Sequence, residues 1–216
     1  VPGAPPILFN YYAEDRHVNY DPATGDGDFS AALSIEEDSS NATYPTNTQG
    51  FSMSVTTDTS YITPLSADIA TAVNAIQPAF AQSQILPNGW TMGVVYSFQV
   101  PVFLQFPTAT EVVEITGQTV SSALLGDDTG LTVPLQWLPI GAPEIFNVVT
   151  SNDSSIGVTT TDGTLTLNPQ TCLDYVRADI NGDGIVNVAD VVWALQEMFN
   201  SGPVGTCNDA KDSNGD

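Results

Sequence analysis

The run from Asp179 to Asp190 reads Asp-Ile-Asn-Gly-Asp-Gly-Ile-Val-Asn-Val-Ala-Asp. Oxygen-bearing side chains fall at the first, third, fifth, ninth and twelfth places of this twelve-residue window. A glycine, Gly184, is sixth, where a sharply turning loop needs a residue without a Cβ. This spacing predicts a loop that wraps a hard cation in oxygens, and calcium is the ion that such a set selects. Asp179, Asn181 and Asp183 would ligate through side chains and Ile185 through its backbone carbonyl. Asn187 would act directly or through a water, and Asp190 from the start of the helix that follows.

A second copy begins downstream. Asp212, Asn214 and Asp216 take the first, third and fifth places of another such loop, with Asp212 33 positions after Asp179. The sequence ends before the turn glycine, so the second loop is half a site and a longer chain is expected. The two cysteines, Cys172 and Cys207, each precede one calcium-type segment, which predicts a disulfide between them. Closing a loop of about 35 residues, it would contribute ~3–4 kcal/mol by restricting the unfolded chain.

Other residues capable of chemistry are few. The one histidine, His17, would have to carry any triad alone, and a strand-edge or solvent-exposed role is expected for it. Glu111 and Glu114 have the residue types of a glycosidase pair. Three apart in a strand, they are expected on opposite faces, which argues against that role. Trp90, Tyr96, Phe98 and Trp137 could form a sugar platform, but their alternation suits core packing. The expectation is a protein without catalytic activity.

Twenty-five acidic residues face only three basic ones, for a net charge of −22, which sets nucleic acid and anionic lipid aside as partners. Apolar residues make up 42% of the chain, enough to build a packed core. No apolar run is long enough to span a bilayer. The start, Val-Pro-Gly-Ala-Pro-Pro, has neither a basic nor an apolar leader segment. The protein is therefore cytosolic or has lost a signal peptide. Calcium loops and a disulfide favour the second, with an extracellular or cell-surface location.

The elements that must position these residues are mostly strands. Ile7 to Tyr12 is a short apolar run, either a first strand or an arm packed on a neighbour, within an N-terminal segment taken as 1–14. Val18 and Tyr20 suggest a second strand, and 21–27 is a turn by composition. Phe29 to Glu36, Phe51 to Thr57 and Trp90 to Phe98 alternate apolar with polar or small residues, the period of a strand with one buried face. The last is the longest and is expected to be central. Further strands are predicted over 102–106, 110–117, 132–137 and 145–150. Thr161-Asp162-Gly163 marks a hairpin between strands at 156–160 and 164–167. One helix is predicted over 66–80, from Ile69, Val73, Ile76 and Phe80, ended by Pro78. Together these predict a mainly β domain, an antiparallel sandwich over 15–169. A small helical module follows over 170–216, in which Val191, Val192, Ala194, Leu195, Met198 and Phe199 take helical spacing after the calcium-type loop.

From about residue 172 the chain resembles a type I dockerin, a duplicated calcium loop and helix with Asn at the ninth place and Asp at the twelfth. The resemblance implies that the loops hold calcium and that their helices present a face to a cohesin domain. Val188 and Ala189 stand at the tenth and eleventh places, which help to choose the partner, where cellulosomal dockerins often carry Ser-Thr. Leu195 and Gln196 on the helix join them as docking candidates. The sandwich resembles a cohesin or jelly-roll fold through Gly50 to Asp58, Gly89 to Phe98 and Ala109 to Ile115, as in exported proteins of planctomycete-type bacteria. What these resemblances imply is a non-catalytic assembly protein whose tail docks on a cohesin-like sandwich. That partner could be another copy of the chain, joined head to tail into a filament. A carbohydrate-binding sandwich carried on a scaffold, with a polysaccharide partner, is the alternative.

Overall fold

The computed structural model describes residues 8–21, 24–41, 44–120, 130–169 and 185–200. The chain divides into two compact units, Val1–Pro169 and Gln170–Asp216.

In the first unit, period-two alternation becomes inward and outward faces. β3 (Asp28–Glu37) buries Phe29, Ala31, Leu33 and Ile35 and turns Ser30, Ala32, Ser34 and Glu36 outward. β4 (Gly50–Thr57) buries Phe51, Met53 and Val55. β7 (Gly89–Val95) buries Trp90, Met92 and Val94. The other strands are β1 (Phe9–Ala13), β2 (Arg16–Tyr20), β5 (Ile62–Ile69), β6 (Phe80–Leu86) and β8 (Thr110–Thr119). They are followed by β9 (Leu131–Gln136), β10 (Val148–Ser151), β11 (Ser154–Gly157), β12 (Thr159–Thr161) and β13 (Gly163–Pro169).

Two sheets result. The first runs β12-β1-β3-β8-β5. The second runs β11-β10-β4-β9-β13-β2, with β7 on the other side of β4 and β6 beyond β7. The core between them is a single apolar cluster, each fully buried Leu, Ile, Val or Phe contributing roughly 1.5–3 kcal/mol. Aromatic rings tie it together. Trp90 packs edge-on against Phe29 with centroids 6.4 Å apart, and Tyr11 lies 5.2 Å from Trp137.

Several expectations are corrected here. The N-terminal segment is not an outlying arm through its length, because residues 9–13 are β1, paired with β3 and β12, with Phe9 and Tyr11 fully buried. The sandwich is not wholly antiparallel, since β1 pairs with β12 and β2 with β13 in parallel. The predicted hairpin at 161–163 is the cause. There the chain leaves the first sheet and enters the second, alongside the β1-to-β2 crossing, so the two neighbouring strands change sheets together and stay parallel. Gly163 makes the close passage possible: a Cβ at that position would lie 2.6 Å from the Ala13 carbonyl oxygen.

The helix expected over 66–80 shrinks to one turn, α1 (Thr71–Asn74). Residues up to Ile69 continue β5 because β8 hydrogen-bonds them, and Phe80 onward is β6. Val102 to Phe106 is not a strand: its one ladder contact is the bridge between Leu104 and Thr48. Phe98 lies outside the strand expected to contain it and is 72% exposed, since β7 ends at Val95.

In the second unit the described element is α2 (Val188–Asn200). Cys172, Cys207, Asp179, Asn181, Asp183 and the second partial loop of Asp212, Asn214 and Asp216 lie outside the described residues.

Candidate docking face and calcium-type loop

The end of the predicted calcium loop is described from Ile185 to Asp190. Asn187 is the N-cap of α2: its Oδ1 accepts the Ala189 N–H at 2.6 Å. Asp190 reaches back, its Oδ2 accepting the Asn187 N–H at 2.7 Å, which completes a reciprocal capping box. A carboxylate in the first helical turn also suits the positive end of the helix dipole. The Asn187 side-chain amide donates to the Ile185 carbonyl at 3.1 Å. Asp190 is 2% exposed, so this acid is drawn inward rather than left in water. With Asn187 Oδ1 turned to the helix, the ninth place would reach a cation through water rather than directly. Among the described residues there is no group of three or more metal-ligating side chains. The docking candidates Val188, Ala189, Leu195 and Gln196 are all exposed. So are Val191, Val192 and Phe199, the last at 79%.

On the sandwich the two sheets differ in charge. Every acidic residue within a strand lies in the first sheet: Asp28, Glu36 and Glu37 on β3, Asp68 on β5, Glu111 and Glu114 on β8. The second sheet carries Arg16 and His17 on its β2 edge and no other charged or titratable acid–base side chain except the buried Tyr20. From Ile69 to Thr110 no Asp, Glu, Lys, Arg or His occurs, and β6 and β7 of the second sheet fall inside this gap.

The outer face of the second sheet has a built wall. Between β9 and β10 the chain crosses over β4 and is pinned there. Ser54 Oγ donates to the Leu138 carbonyl at 2.7 Å and accepts the Ile140 N–H at 3.0 Å. Asn147 Oδ1 accepts the Ser54 N–H at 2.7 Å, and its Nδ2 donates to the Ser54 carbonyl at 3.3 Å. Ser52 Oγ donates to the Phe146 carbonyl at 2.5 Å. Beside the wall lies a depression of about 220 Å³ lined by Phe80, Gln82, Gln84, Thr91, Gly93 and Ile145. Gly93 leaves its floor open, and Phe80 lies across it, 3.6 Å from where a Cβ would stand. Leu138 and Phe146 on the wall and Phe80 opposite are exposed. The strands here carry no charge, and the wall adds one exposed carboxylate, Glu144. A surface of this kind, with large apolar side chains at its rim, can bury an apolar helix or strand from another protein.

The other candidates are placed as follows. His17 is exposed on β2, with Nδ1 3.3 Å from the Asn168 amide nitrogen. Glu111 and Glu114 do not point to opposite faces. A β-bulge puts Leu33 opposite Val113 and Ser34 opposite Glu111, so Val112 is an extra residue. Val112 and Val113 are both buried, and both glutamates come out on the exposed face, beside one shallow depression. No other acid–base side chain lines that depression. Trp90, Tyr96 and Trp137 are core residues, so no sugar platform forms from them. Burial raises the Tyr11 hydroxyl well above its ordinary range, with the nearby Tyr96 adding to it. Burial raises Tyr96 also, against a hydrogen bond from Thr48 that lowers it.

No family model matches this sequence, and no curated protein does. Among solved structures, the chain is similar to a type I cohesin from a cohesin–dockerin complex of Clostridium thermocellum, at 12% identity and a TM-score of 0.57, covering 78% of this chain and 99% of that one. It is also similar to the seventh ScaB type I cohesin of Pseudobacteroides cellulosolvens, at 11% identity and 0.55, covering 80% and 99%. A cohesin module from a Clostridium perfringens family 33 glycoside hydrolase matches at 10% identity and 0.52, covering 76% and 100%. At such identities the likeness is one of fold: a cohesin-like β-sandwich. No helix among the described residues is long and apolar enough to cross a membrane.

Proposed function

We propose that this is a non-catalytic, extracellular assembly protein, with the sandwich as receptor and the C-terminal module as plug. The observation that carries it is a pairing of surfaces on one chain. The second sheet offers an apolar-rimmed face whose β4, β6 and β7 strands carry no charge, and α2 offers exposed Val188, Val191, Val192, Leu195 and Phe199. The cohesin-like fold supports the receptor half, since the similar Clostridium thermocellum structure is a cohesin in complex with a dockerin.

Calcium held by Asp179, Asn181, Asp183, the Ile185 carbonyl and Asp190, with Asn187 through water, would fix the start of α2. Val188, Ala189, Leu195 and Gln196 would then meet the receptor face. When the receptor is another copy, the contact is head to tail, and it grows into a filament unless the rotation closes a ring.

Size-exclusion chromatography with light scattering tests this, with calcium and then with a chelator. Calcium should give species that grow with concentration, and the chelator or the Asp179→Ala/Asp183→Ala variant should dissolve them. If added cohesin-type and self partners both leave a monomer in calcium at high concentration, the docking reading fails. If chelator leaves the tail's helical circular dichroism unmoved, the calcium reading fails.

A further inference from the structure

A sheet edge offers unpaired N–H and C=O groups to any extended chain, and folded proteins blunt such edges. Among the described strands, four of the five sheet edges are blunted. β12 has three residues and β11 four. β2 carries Arg16, paired with Glu14 at 3.0 Å. β5 carries Pro64, a bulge between Pro64 and Ser66, and Asp68. β6 has none of these devices. Its seven residues, Phe-Ala-Gln-Ser-Gln-Ile-Leu, contain no charge and no proline, and its register with β7 runs unbroken from Phe80–Val95 to Leu86–Gly89. Residues 80–85 are all exposed, and among the described residues no backbone hydrogen bond reaches the far side of the strand.

We propose that β6 is an association edge, on which a second copy of the chain lays its own β6 antiparallel about a two-fold axis at Ser83. Two features select this occupant. The strand is complementary to itself: an axis at Ser83 sets Gln82 against Gln84 and Phe80 against Leu86 on the outer face, and Ala81 against Ile85 on the inner one. Large side chains meet large, or small meets large, and the glutamine amides can donate to and accept from each other. Charge is the second. Two chains of net charge −22 repel, yet this edge lies inside the stretch from Ile69 to Thr110 that has no charged residue. Neither β6 nor its partner β7 carries a charge, so copies can pair along this edge without setting carboxylates against each other on the paired strands. The repulsion that remains is long-range and is screened over about 8 Å at physiological ionic strength. Unlike tail docking, this contact is isologous and closes at two copies.

Sedimentation velocity of the full chain in chelator, from low to high micromolar concentration and at two salt levels, tests the edge apart from the calcium-dependent plug. A monomer–dimer equilibrium that tightens with salt and stops at two copies is expected. Gln82→Lys/Gln84→Lys sets lysines directly opposite each other in both symmetry-related pairs and should raise the dimer dissociation constant by about tenfold or more. Gln82→Lys/Gln84→Glu sets opposite charges there and should restore wild-type association or better. A monomer at every concentration and salt overturns the proposal. So does a dimer that the double-lysine variant leaves intact, or a charge-swapped variant that associates as poorly as the double lysine.

Discussion

Removing the Ser54 hydroxyl tests whether the wall of the candidate docking face is held as described. Ser54 is fully buried, and Ser54→Ala takes away both the donor to the Leu138 carbonyl and the acceptor of the Ile140 N–H. The two orphaned groups differ in their recourse. Leu138 is half-exposed, so its carbonyl can turn to water, while Ile140 is buried and its N–H has no substitute. One buried orphan costs about 1–3 kcal/mol, so Ser54→Ala should destabilise the sandwich by about 2 kcal/mol. With a urea dependence of about 2 kcal/mol per molar, the midpoint should fall by about 1 M. Asn147→Ala removes the acceptor of the Ser54 N–H and should cost a similar amount. Because both hold one segment, the double variant should lose less than the sum, by about 0.5 kcal/mol or more. Ser52→Ala, whose bond to the Phe146 carbonyl lies at the exposed rim, should cost within about 0.5 kcal/mol. Near-ultraviolet circular dichroism follows the sandwich, since Trp90 and Trp137 are buried in it. A midpoint for Ser54→Ala within about 0.2 M of wild type, on the same ~2 kcal/mol per molar slope, would show that segment 138–147 does not depend on this pin.

Gly163→Ala should lower stability by about 1–3 kcal/mol, because the new Cβ meets the Ala13 and Glu14 backbone rather than a movable side chain; thermal unfolding checks it, and an unchanged midpoint would mean that the crossing has slack. Glu37→Gln should cost about 2 kcal/mol or more. The buried carboxylate accepts from the Thr46 N–H, the Thr46 hydroxyl and the Asn41 amide, and an NH₂ group would face donors. Glu36→Gln, partly exposed on the same strand, should cost much less, and equal losses would refute the network's role. Alkaline pH should unfold the sandwich. Burial holds the Tyr11 and Tyr96 hydroxyls above their ordinary range, whereas both titrate near 10 once unfolded. Above that pH the unfolded chain loses protons that the folded chain keeps, so stability falls by about 1.4 kcal/mol per pH unit for each. Below it the two contribute no slope. Tyr96→Phe should remove about half of the slope, measured by urea titration at several pH values, and an unchanged slope would count against the desolvated hydroxyl.

Local pattern made much of this protein legible. Alternation over Phe29–Glu36, Phe51–Thr57 and Trp90–Val95 marks strands because period two is a property of one strand, whatever its partners. The predicted calcium loop of Asp179 to Asp190 is described only from Ile185, and that end is a capping box of Asn187 and Asp190, residues three apart. What needed the tertiary structure was set between distant residues. β6 has weak alternation and is a strand because β7 hydrogen-bonds it, so a helical spacing across Ile69 to Phe80 misled. Glu111 and Glu114 share a face because β3 pairs with β8 on both sides of the bulge at Val112. Thr161 to Gly163 carries the composition of a hairpin, yet β1 and β9 claim the flanking strands for different sheets. The charge-free run from Ile69 to Thr110 is visible in one dimension. That its middle part, β6 and β7, makes a charge-free end of the second sheet with one open edge follows only from strand order, which long-range hydrogen bonding decides and no local window contains.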